Sequence, residues 1–206
     1  MAMTVLYTTS GKIVNLMDDT AGDEFCLDDI VRGLYHQKRF GVRNDTSDFT
    51  VLDHTLAGTY LATSLTEARS FFLHDQAEYL IGDLVNPIKH ALRELAHATS
   101  RTSSDFDMLE MHVLGRIIRW YTQNLYATYV FEEPTTLDAE LATYEATELG
   151  FPTTEGFRCK ELPKFRYKQI GLVYNGILKM SFVAKSRLFV ELAGDLFNKK
   201  DVQNDQ

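Results

Sequence analysis

The chain has 206 residues, of which 45% are hydrophobic and 24% charged, and this composition predicts one globular domain over residues 1–206. The formal net charge of -8 argues against a nucleic-acid or anionic membrane partner, because phosphate surfaces favour clustered Lys and Arg. A small anionic substrate stays compatible with this charge if a metal ion and a few basic side chains share one cleft.

The cysteine content and the distribution of apolar residues predict a cytoplasmic protein. Cys26 and Cys159 are the two cysteines, and they lie far apart, which fits a reducing compartment better than a disulfide framework. Residues 1–14 carry no long apolar run, so we expect no signal peptide, and no stretch of the chain reaches the length of a membrane span.

The first quarter of the chain predicts a hairpin, a helix and a basic loop. Alternating residues from Val5 to Leu16 favour a small hairpin or an extended lead-in. Apolar residues at helical spacing predict a helix over 26–35. Residues 38–43, KRFGVR, form a basic and aromatic loop, which in an acidic chain is a candidate anion contact, although surface arginines usually serve solubility alone.

Residues 50–89 contain the residues with the most distinctive chemistry. The segment 50–61 has a wide apolar face that includes His54, either as a core histidine bonded to a neighbour or as an inward-facing ligand. A capping box at 64–67 precedes a predicted helix over 67–81. In that helix His74 and Glu78 share one face beside Asp75, an arrangement that can bind a metal ion. A His-Asp pair alone is weak evidence, because helical histidines more often serve packing.

The end of this stretch predicts a helix stop and a new helix start. Gly82 is expected to end the helix, and Asn86-Pro87 is typical of an N-cap followed by the first residue of the next helix. This arrangement is expected to direct Asp83 and Lys89 toward the pocket that contains the possible metal site of His74 and Asp75.

The second half of the chain is also predicted to be helical, over residues 87–98, 106–125, 136–149 and 183–197, while residues 165–180 are ambiguous between helix and strand. Asp138 and Glu145 lie two turns apart on the helix that Thr136 is expected to cap. The simplest interpretation is a charge that favours the helix dipole and an exposed glutamate. We therefore expect an all-α bundle of six or more helices, possibly with a small N-terminal hairpin.

The order of the motifs resembles that of the HD-domain phosphohydrolases, in particular the branch of bacterial 5'-deoxynucleotidases and phage dATP triphosphohydrolases. The motifs are RFG at 39–41, VLDHTLAG at 51–58, HDQAE at 74–78, GDLVNPIK at 82–89 and LDAELATYEATEL at 137–149. The resemblance covers about residues 8–150. It implies an HD-domain helical core there. From the sequence pattern alone we expect a C-terminal helical extension over 151–198 and a frayed tail over 199–206.

The resemblance implies one divalent metal ion, with His54, His74, Asp75 and Asp138 as its ligands. Two imidazoles and two carboxylates suit Mn, Co, Fe, Ni or Zn, and Mg is also possible. Gln76 and Asp53 depart from the common motif, but neither is expected to bind metal.

The resemblance also implies which residues bind the phosphates and act in catalysis. Glu78 matches the acid/base residue of the family. Arg39 matches its phosphate-binding arginine, whose planar fork suits two phosphate oxygens. Lys89 would add a second positive charge for a polyphosphate.

Recognition of the nucleoside is implied at three further positions. Asp83 matches the residue that contacts the 3'-hydroxyl of the sugar. Phe40 would crowd a ribose 2'-hydroxyl and so favour deoxyribose. Val42 would press on the base edge, as a bulky apolar side chain does in the phage enzymes that reject a 2-amino purine.

These expectations define an enzyme that binds a small-molecule deoxynucleotide, with no nucleic acid and no membrane as partner. Lys89 and Val42 favour a dNTP triphosphohydrolase that prefers dATP and releases tripolyphosphate. A 5'-deoxynucleotidase acting on dNMP is the alternative. A non-catalytic HD-fold binding protein is a further alternative, which the cluster of inward charges disfavours. We also expect a homo-oligomer, in the host cytoplasm if the protein is phage-encoded.

Overall fold

The computed structural model describes residues 4–18, 25–40, 49–99, 101–123, 131–151 and 161–197. Val42, Cys159 and the tail 199–206, for which the sequence makes predictions, lie outside the described residues. The described chain is mainly helical and has a two-stranded hairpin before the first helix. The predicted all-α bundle with a small N-terminal hairpin is therefore confirmed.

The hairpin consists of β1 (Val5–Tyr7) and β2 (Ile13–Asn15), which pair antiparallel with Leu6 opposite Val14. It is fixed to the helices by Arg116, which is fully buried and whose Nη1 donates a hydrogen bond of 2.7 Å to the carbonyl of Asn15. The hairpin therefore covers one side of the bundle and takes no part in the site.

The helices follow in chain order and have these bounds: α1 Leu27–His36, α2 Val51–Leu61, α3 Leu65–His74, α4 Glu78–Ile81, α5 Asn86–Ala98, α6 Asp105–Thr122, α7 Thr135–Glu148, α8 Lys164–Leu178 and α9 Phe182–Phe197. The predicted helices at 26–35, 87–98, 136–149 and 183–197 correspond to α1, α5, α7 and α9, with ends that differ by at most one residue. The predicted helix at 106–125 corresponds to α6, although residues 124–125 lie outside the described residues. The segment 50–61, with its predicted wide apolar face, forms α2.

Helix α2 lies at the centre of the bundle and packs against α1, α3, α7 and α8. All of its residues except Tyr60 are buried. Thr50 begins it through a capping box with Asp53, in which each side chain bonds the backbone N–H of the other residue. Asp53 also forms a buried ion pair of 2.5 Å with Lys185 of α9, so the C-terminal helix is joined directly to the central one.

A glycine allows α2 and α3 to pack closely. A Cβ atom at Gly58 would lie 1.9 Å from Cε1 of Phe71, so no larger residue fits without displacing α3. The close contact brings the rings of His54 on α2 and His74 on α3 to a centroid distance of 5.5 Å. Two histidines that are twenty residues apart in sequence thereby become neighbours.

The predicted continuous helix over 67–81 is wrong, because the chain breaks into α3 and α4 with a turn at 75–77. Two side chains bond the carbonyl groups that a continuing helix would use. Nδ1 of His74 lies 2.7 Å from the Phe71 carbonyl, and Nε2 of Gln76 donates to the Phe72 carbonyl at 2.8 Å. These bonds satisfy carbonyls that are left open at a helix C-terminus, so the helix ends at His74.

The predicted capping box at 64–67 is only half formed. The Ser64 hydroxyl accepts from the backbone N–H of Glu67, but the Glu67 carboxylate accepts from Thr63 instead of from the backbone N–H of Ser64.

Two further local predictions are also corrected. Helix α5 begins at Asn86 with Val85 at the N-cap position, so the predicted N-cap is displaced by one residue. Helix α7 has Pro134 at its N-cap position, and Thr136 lies inside the helix. The ambiguous segment 165–180 is helical, as α8. The predicted stop at Gly82 is confirmed, since this residue has a φ of +81°.

Within the described ranges, no helix combines the length and the apolar character that crossing a bilayer requires.

Candidate metal centre and active site

His54 is completely buried on α2 and presents one ring nitrogen to the site. Its Nδ1 lies 2.7 Å from Oε1 of Glu145. Its Nε2 makes no hydrogen bond, although Oδ1 of Asp138 lies 3.1 Å away. Both sequence interpretations of His54 therefore hold at once, because one nitrogen is bonded to a neighbour and the other is available as an inward-facing ligand.

His74 has the same division of roles between its ring nitrogens. A carbonyl oxygen can only accept, so the contact of 2.7 Å with Phe71 places the proton on Nδ1. Its Nε2 has no hydrogen-bond partner. It lies 3.1 Å from Oδ2 of Asp75 and 3.8 Å from Oδ1 of Asp138.

The two carboxylates complete the cluster that these nitrogens face. His54, His74 and Asp75 each offer a ligand atom, and these atoms lie within 4.8 Å of one another, so the group could hold a metal ion. Asp138 comes from the first turn of α7, and its carboxylate approaches both histidines. The residues thus fit a divalent ion, because two unpartnered imidazole nitrogens and two carboxylates converge from three elements.

The charges of these groups favour a cation at the point where they meet. Burial by itself would raise the pKa of Asp75, but His74 and Arg39 hold that pKa below its ordinary value. Burial likewise opposes ionisation of Asp138, and the two histidines lower its pKa well below the usual value. The pKa of His74 is raised well above its ordinary value, because Asp75 and Asp138 outweigh the effect of burial. The carboxylates are therefore ionised and attract positive charge.

Arg39 lies against the carboxylates of this cluster. Its backbone N–H donates to the Phe49 carbonyl at 3.1 Å, which fixes the Arg39 backbone next to the start of α2. Its Nη1 lies 3.2 Å from Oδ2 of Asp75, and its Nη2 lies 3.9 Å from Oδ1 of Asp138. The arginine predicted to bind phosphate is therefore beside the predicted metal ligands.

Phe40 adopts a backbone conformation that is uncommon for an aromatic residue, with a φ of +63°. The centroid of its ring lies 5.6 Å from the ring centroid of Phe151 and 5.8 Å from the guanidinium carbon of Arg39. These contacts hold the aromatic ring next to Arg39, the arginine predicted to bind phosphate, where the resemblance implies a sugar contact.

Glu78 is the most isolated carboxyl group of the site. It is 2% exposed, and its Oε2 has no hydrogen-bond partner. Burial raises the pKa of Glu78 well above its usual value, and the charges of Asp75 and Asp83 raise it further. A buried carboxyl group with a raised pKa holds its proton at higher pH than an exposed one, as a general acid requires.

Lys89 lies next to Glu78, but its ammonium group is mainly bonded elsewhere. The distance from Nζ to Oε1 of Glu78 is 3.8 Å, whereas Oε1 of Glu110 accepts a hydrogen bond from Nζ at 2.8 Å. Burial raises the pKa of Asp83, with Asp75 adding to the effect. Lys89 and Asp83 are thus near the cluster as predicted, but Glu110 offsets the charge of Lys89, and the sequence pattern does not indicate this contact.

The prediction of an exposed Glu145 is wrong. Its side chain is completely buried and accepts hydrogen bonds from His54 Nδ1, Arg39 Nε at 3.2 Å and the Tyr174 hydroxyl. Glu145 lies two turns after Asp138, so helical periodicity alone places the two on one face and could have identified it. Nothing in the local sequence around Tyr174 indicates that it reaches this site.

Comparison of the chain with models of known protein families and with curated protein sequences gives no match. The functional proposal therefore depends on the geometry of the site and on the order of the motifs.

Proposed function

We propose that the chain is a metal-dependent phosphohydrolase of deoxyribonucleotides that hydrolyses a dNTP, with dATP preferred, to a deoxynucleoside and tripolyphosphate. The observation that carries the proposal is the convergence of two unpartnered imidazole nitrogens and two carboxylates, with Arg39 on one side and a buried Glu78 nearby. The order of the same residues in the sequence resembles that of the HD-domain phosphohydrolases, which supports this reaction class.

Four residues would hold one divalent ion, namely His54, His74, Asp75 and Asp138. The set suits Mn, Co, Fe, Ni or Zn, and Mg is compatible with the carboxylates. The chemistry that such an ion supplies when bound is polarisation of a phosphoryl oxygen and activation of water at neutral pH.

Arg39 contributes positive charge where the phosphoryl oxygens develop negative charge. Its guanidinium already lies 3.2 Å from Asp75 and 3.2 Å from Glu145, so its orientation is fixed before substrate binds. The pKa of Arg39 is raised well above its ordinary value, because Glu145 and Asp75 outweigh the effect of burial. A fixed planar cation of this kind binds two phosphate oxygens without reorganisation.

Glu78 is assigned to the proton transfer. Water forms the new bond to the α-phosphorus, the bond from phosphorus to the 5'-oxygen breaks, and the proton of Glu78 goes to the departing oxygen. The proton that the attacking water loses then restores the Glu78 carboxyl group. The raised pKa of Glu78 keeps that proton available toward neutral pH. The neighbouring Lys89 partly opposes the rise in pKa.

Recognition of the sugar is assigned to Phe40 and Asp83. The Phe40 ring, held against Phe151, would crowd a 2'-hydroxyl and leave it without a hydrogen-bond partner. Asp83 is largely buried near Asp75 and would accept a hydrogen bond from the 3'-hydroxyl. Both assignments favour a deoxyribonucleotide.

One observation favours a monophosphate substrate instead. Lys89 is the residue expected to bind a polyphosphate, but its ammonium donates to Glu110 at 2.8 Å, so its charge is already offset. With fewer available positive charges, the cleft suits a single phosphate better. The alternative function is therefore a 5'-deoxynucleotidase that converts dNMP to a deoxynucleoside and phosphate.

The decisive experiment is a nucleotide panel. Purified protein is incubated with Mn²⁺ or Co²⁺ and with dNMPs, dNTPs and NTPs, and the phosphate products are identified. Tripolyphosphate from dNTPs supports the first function, and orthophosphate from dNMPs supports the second. A preparation of Glu78→Gln excludes contaminating phosphatases. Binding of metal and nucleotide without hydrolysis of any deoxynucleotide would contradict both functions and favour a binding protein.

The base preference has a separate test at Val42. Replacement of Val42 by Gly is expected to lower the ratio of dATP to dGTP hydrolysis if this side chain presses on the base edge. An unchanged ratio would show that another residue selects the base.

A further inference from the structure

We propose that Glu145 and Tyr174 are positioning residues that fix the metal ligand His54 and the phosphate-binding Arg39 as one unit. The inference rests on the proposed function and deepens it. It extends the site into α8, which lies beyond the region where the sequence resembles the HD-domain enzymes.

Glu145 determines which ring nitrogen of His54 faces the site. A carboxylate accepts hydrogen bonds and does not donate them, so the contact of 2.7 Å with Glu145 Oε1 places a proton on His54 Nδ1. The other ring nitrogen, Nε2, faces Asp138 and Asp75, at 3.1 Å and 3.8 Å. A carboxylate that bonds the remote nitrogen of a ligating imidazole fixes the orientation of the ring and increases its basicity.

The other oxygen of the Glu145 carboxylate holds Arg39. Oε2 of Glu145 accepts from Nε of Arg39 at 3.2 Å. One glutamate therefore holds an imidazole with one oxygen and a guanidinium with the other. A movement of His54 cannot be separated from a movement of Arg39 while this carboxylate is in place.

Tyr174 in turn fixes the position of Glu145. Its hydroxyl donates to Glu145 Oε1 and lies 3.4 Å from His54 Nδ1. The ring is fully buried, stacked on Tyr144 with an interplanar angle of 14° and edge-on to Phe49 with an angle of 85°. The position of the hydroxyl is therefore set by packing, and Glu145 receives a third donor. Three donors allow the carboxylate to remain ionised although it is buried.

A second tyrosine–glutamate pair on the same two helices provides a matched control. The Tyr167 hydroxyl donates to Glu148. The residue types and the helices are the same as for Tyr174 and Glu145, but Glu148 is exposed on the surface. Removal of this pair changes a tyrosine–glutamate hydrogen bond between α7 and α8 without touching the site.

The test compares Glu145→Gln and Tyr174→Phe with the controls Glu148→Gln and Tyr167→Phe. The Kd for Mn²⁺ is measured by isothermal titration calorimetry, and the Tm is measured in EDTA to establish that each variant is folded. We expect Glu145→Gln to weaken Mn²⁺ binding by about 10- to 100-fold, as is typical when the hydrogen-bond partner of a ligating histidine is lost. Tyr174→Phe should weaken binding in the same direction by a smaller factor, and both control variants should bind Mn²⁺ as the wild type does.

The outcomes separate a positioning role from a merely structural one. If Glu145→Gln and Tyr174→Phe lower the Tm in EDTA but bind Mn²⁺ with the wild-type Kd, the inference is overturned. If Glu145→Gln does not fold, the Kd of Tyr174→Phe decides alone.

The failure of the proposed function would be recognised independently. A wild-type protein that binds Mn²⁺ but hydrolyses no nucleotide would refute the phosphohydrolase, and the comparison of Kd values would still support or overturn the positioning role. A wild-type protein that binds no divalent metal ion would overturn both.

Discussion

Glu145 and Glu78 are both buried carboxyl groups near the candidate metal centre, but only Glu145 is surrounded by hydrogen-bond donors. Glu145 accepts from His54, Arg39 and Tyr174. Oε2 of Glu78 has no hydrogen-bond partner, and the Lys89 ammonium lies 3.8 Å from Oε1. The same side chain is thus placed in two opposite environments within one site.

The two environments shift the pKa values of the two glutamates in opposite directions. Burial would raise the pKa of Glu145, but Arg39 and His54 lower it below the ordinary value. Burial raises the pKa of Glu78 well above the ordinary value, and Asp75 adds to the rise. The charges and hydrogen-bond donors around each carboxyl group, rather than burial alone, therefore decide which glutamate is favoured as an ionised support and which as a proton carrier.

The largest expected effect is on turnover in Glu78→Gln. We expect kcat to fall by about 10²- to 10⁴-fold, because an amide cannot transfer the proton that general acid catalysis requires. The Kd for Mn²⁺ should stay close to the wild-type value, since Glu78 is not among the proposed ligands. Steady-state kinetics and calorimetry measure the two quantities, with Glu148→Gln as the surface control. A parallel loss of metal binding would mean that Glu78 is itself a ligand.

A large effect on folding is expected from Glu145→Gln. Loss of this carboxylate leaves the buried Arg39 and the His54 ring with fewer partners, and breaking a buried charge pair costs about 3 kcal/mol or more. Urea unfolding in EDTA should show a decrease of that size in the free energy of unfolding. Glu78→Gln should show no such decrease under the same conditions. Equal destabilisation of both variants would remove the distinction between the two glutamates.

A smaller effect is expected from Lys89→Met, which removes the cation beside Glu78. If a dNTP is the substrate, we expect its KM to rise by about tenfold, the equivalent of one charge-assisted hydrogen bond. The KM for a dNMP should change less, because its single phosphate is bound by Arg39. The control is Arg93→Met, which removes a partly exposed guanidinium charge that is paired with Asp107 on the neighbouring helix. Equal changes in KM for both substrates would indicate that Lys89 does not contact the outer phosphates.

The smallest expected effect is on the pH dependence of stability in EDTA. The raised pKa of Glu78 means that the folded protein keeps this proton at pH values where the unfolded chain has lost it. The stability contributed by Glu78 is therefore fully present below its usual value of 4.5 and is lost as the pH rises through the folded-state pKa. Unfolding free energies of wild type and Glu78→Gln, compared between pH 4 and pH 9, should diverge in favour of the variant as pH rises. A difference that does not vary with pH would show that the pKa of Glu78 is not raised.

Much of the secondary structure follows from the sequence because its causes are local. The capping residue Ser64, the stop at Gly82 and the periodic apolar residues act within one or two turns, and each predicts a boundary that the structure has within a few residues. The break after His74 was not predicted, because the side chains of His74 and Gln76 bond carbonyls that periodicity treats as part of a continuous helix.

The sequence by itself determined the candidate ligands and their order, since His54, His74, Asp75 and Asp138 lie within short motifs of recognisable type. Only the tertiary structure decided that Glu145 is buried and that Tyr174 reaches it. Residues 54, 145 and 174 meet because α2 packs against both α7 and α8, and a helix's own pattern does not state which neighbour covers each polar position. The charge of a buried carboxyl group depends on those neighbours, so the roles of Glu145 and Glu78 are properties of the packed bundle.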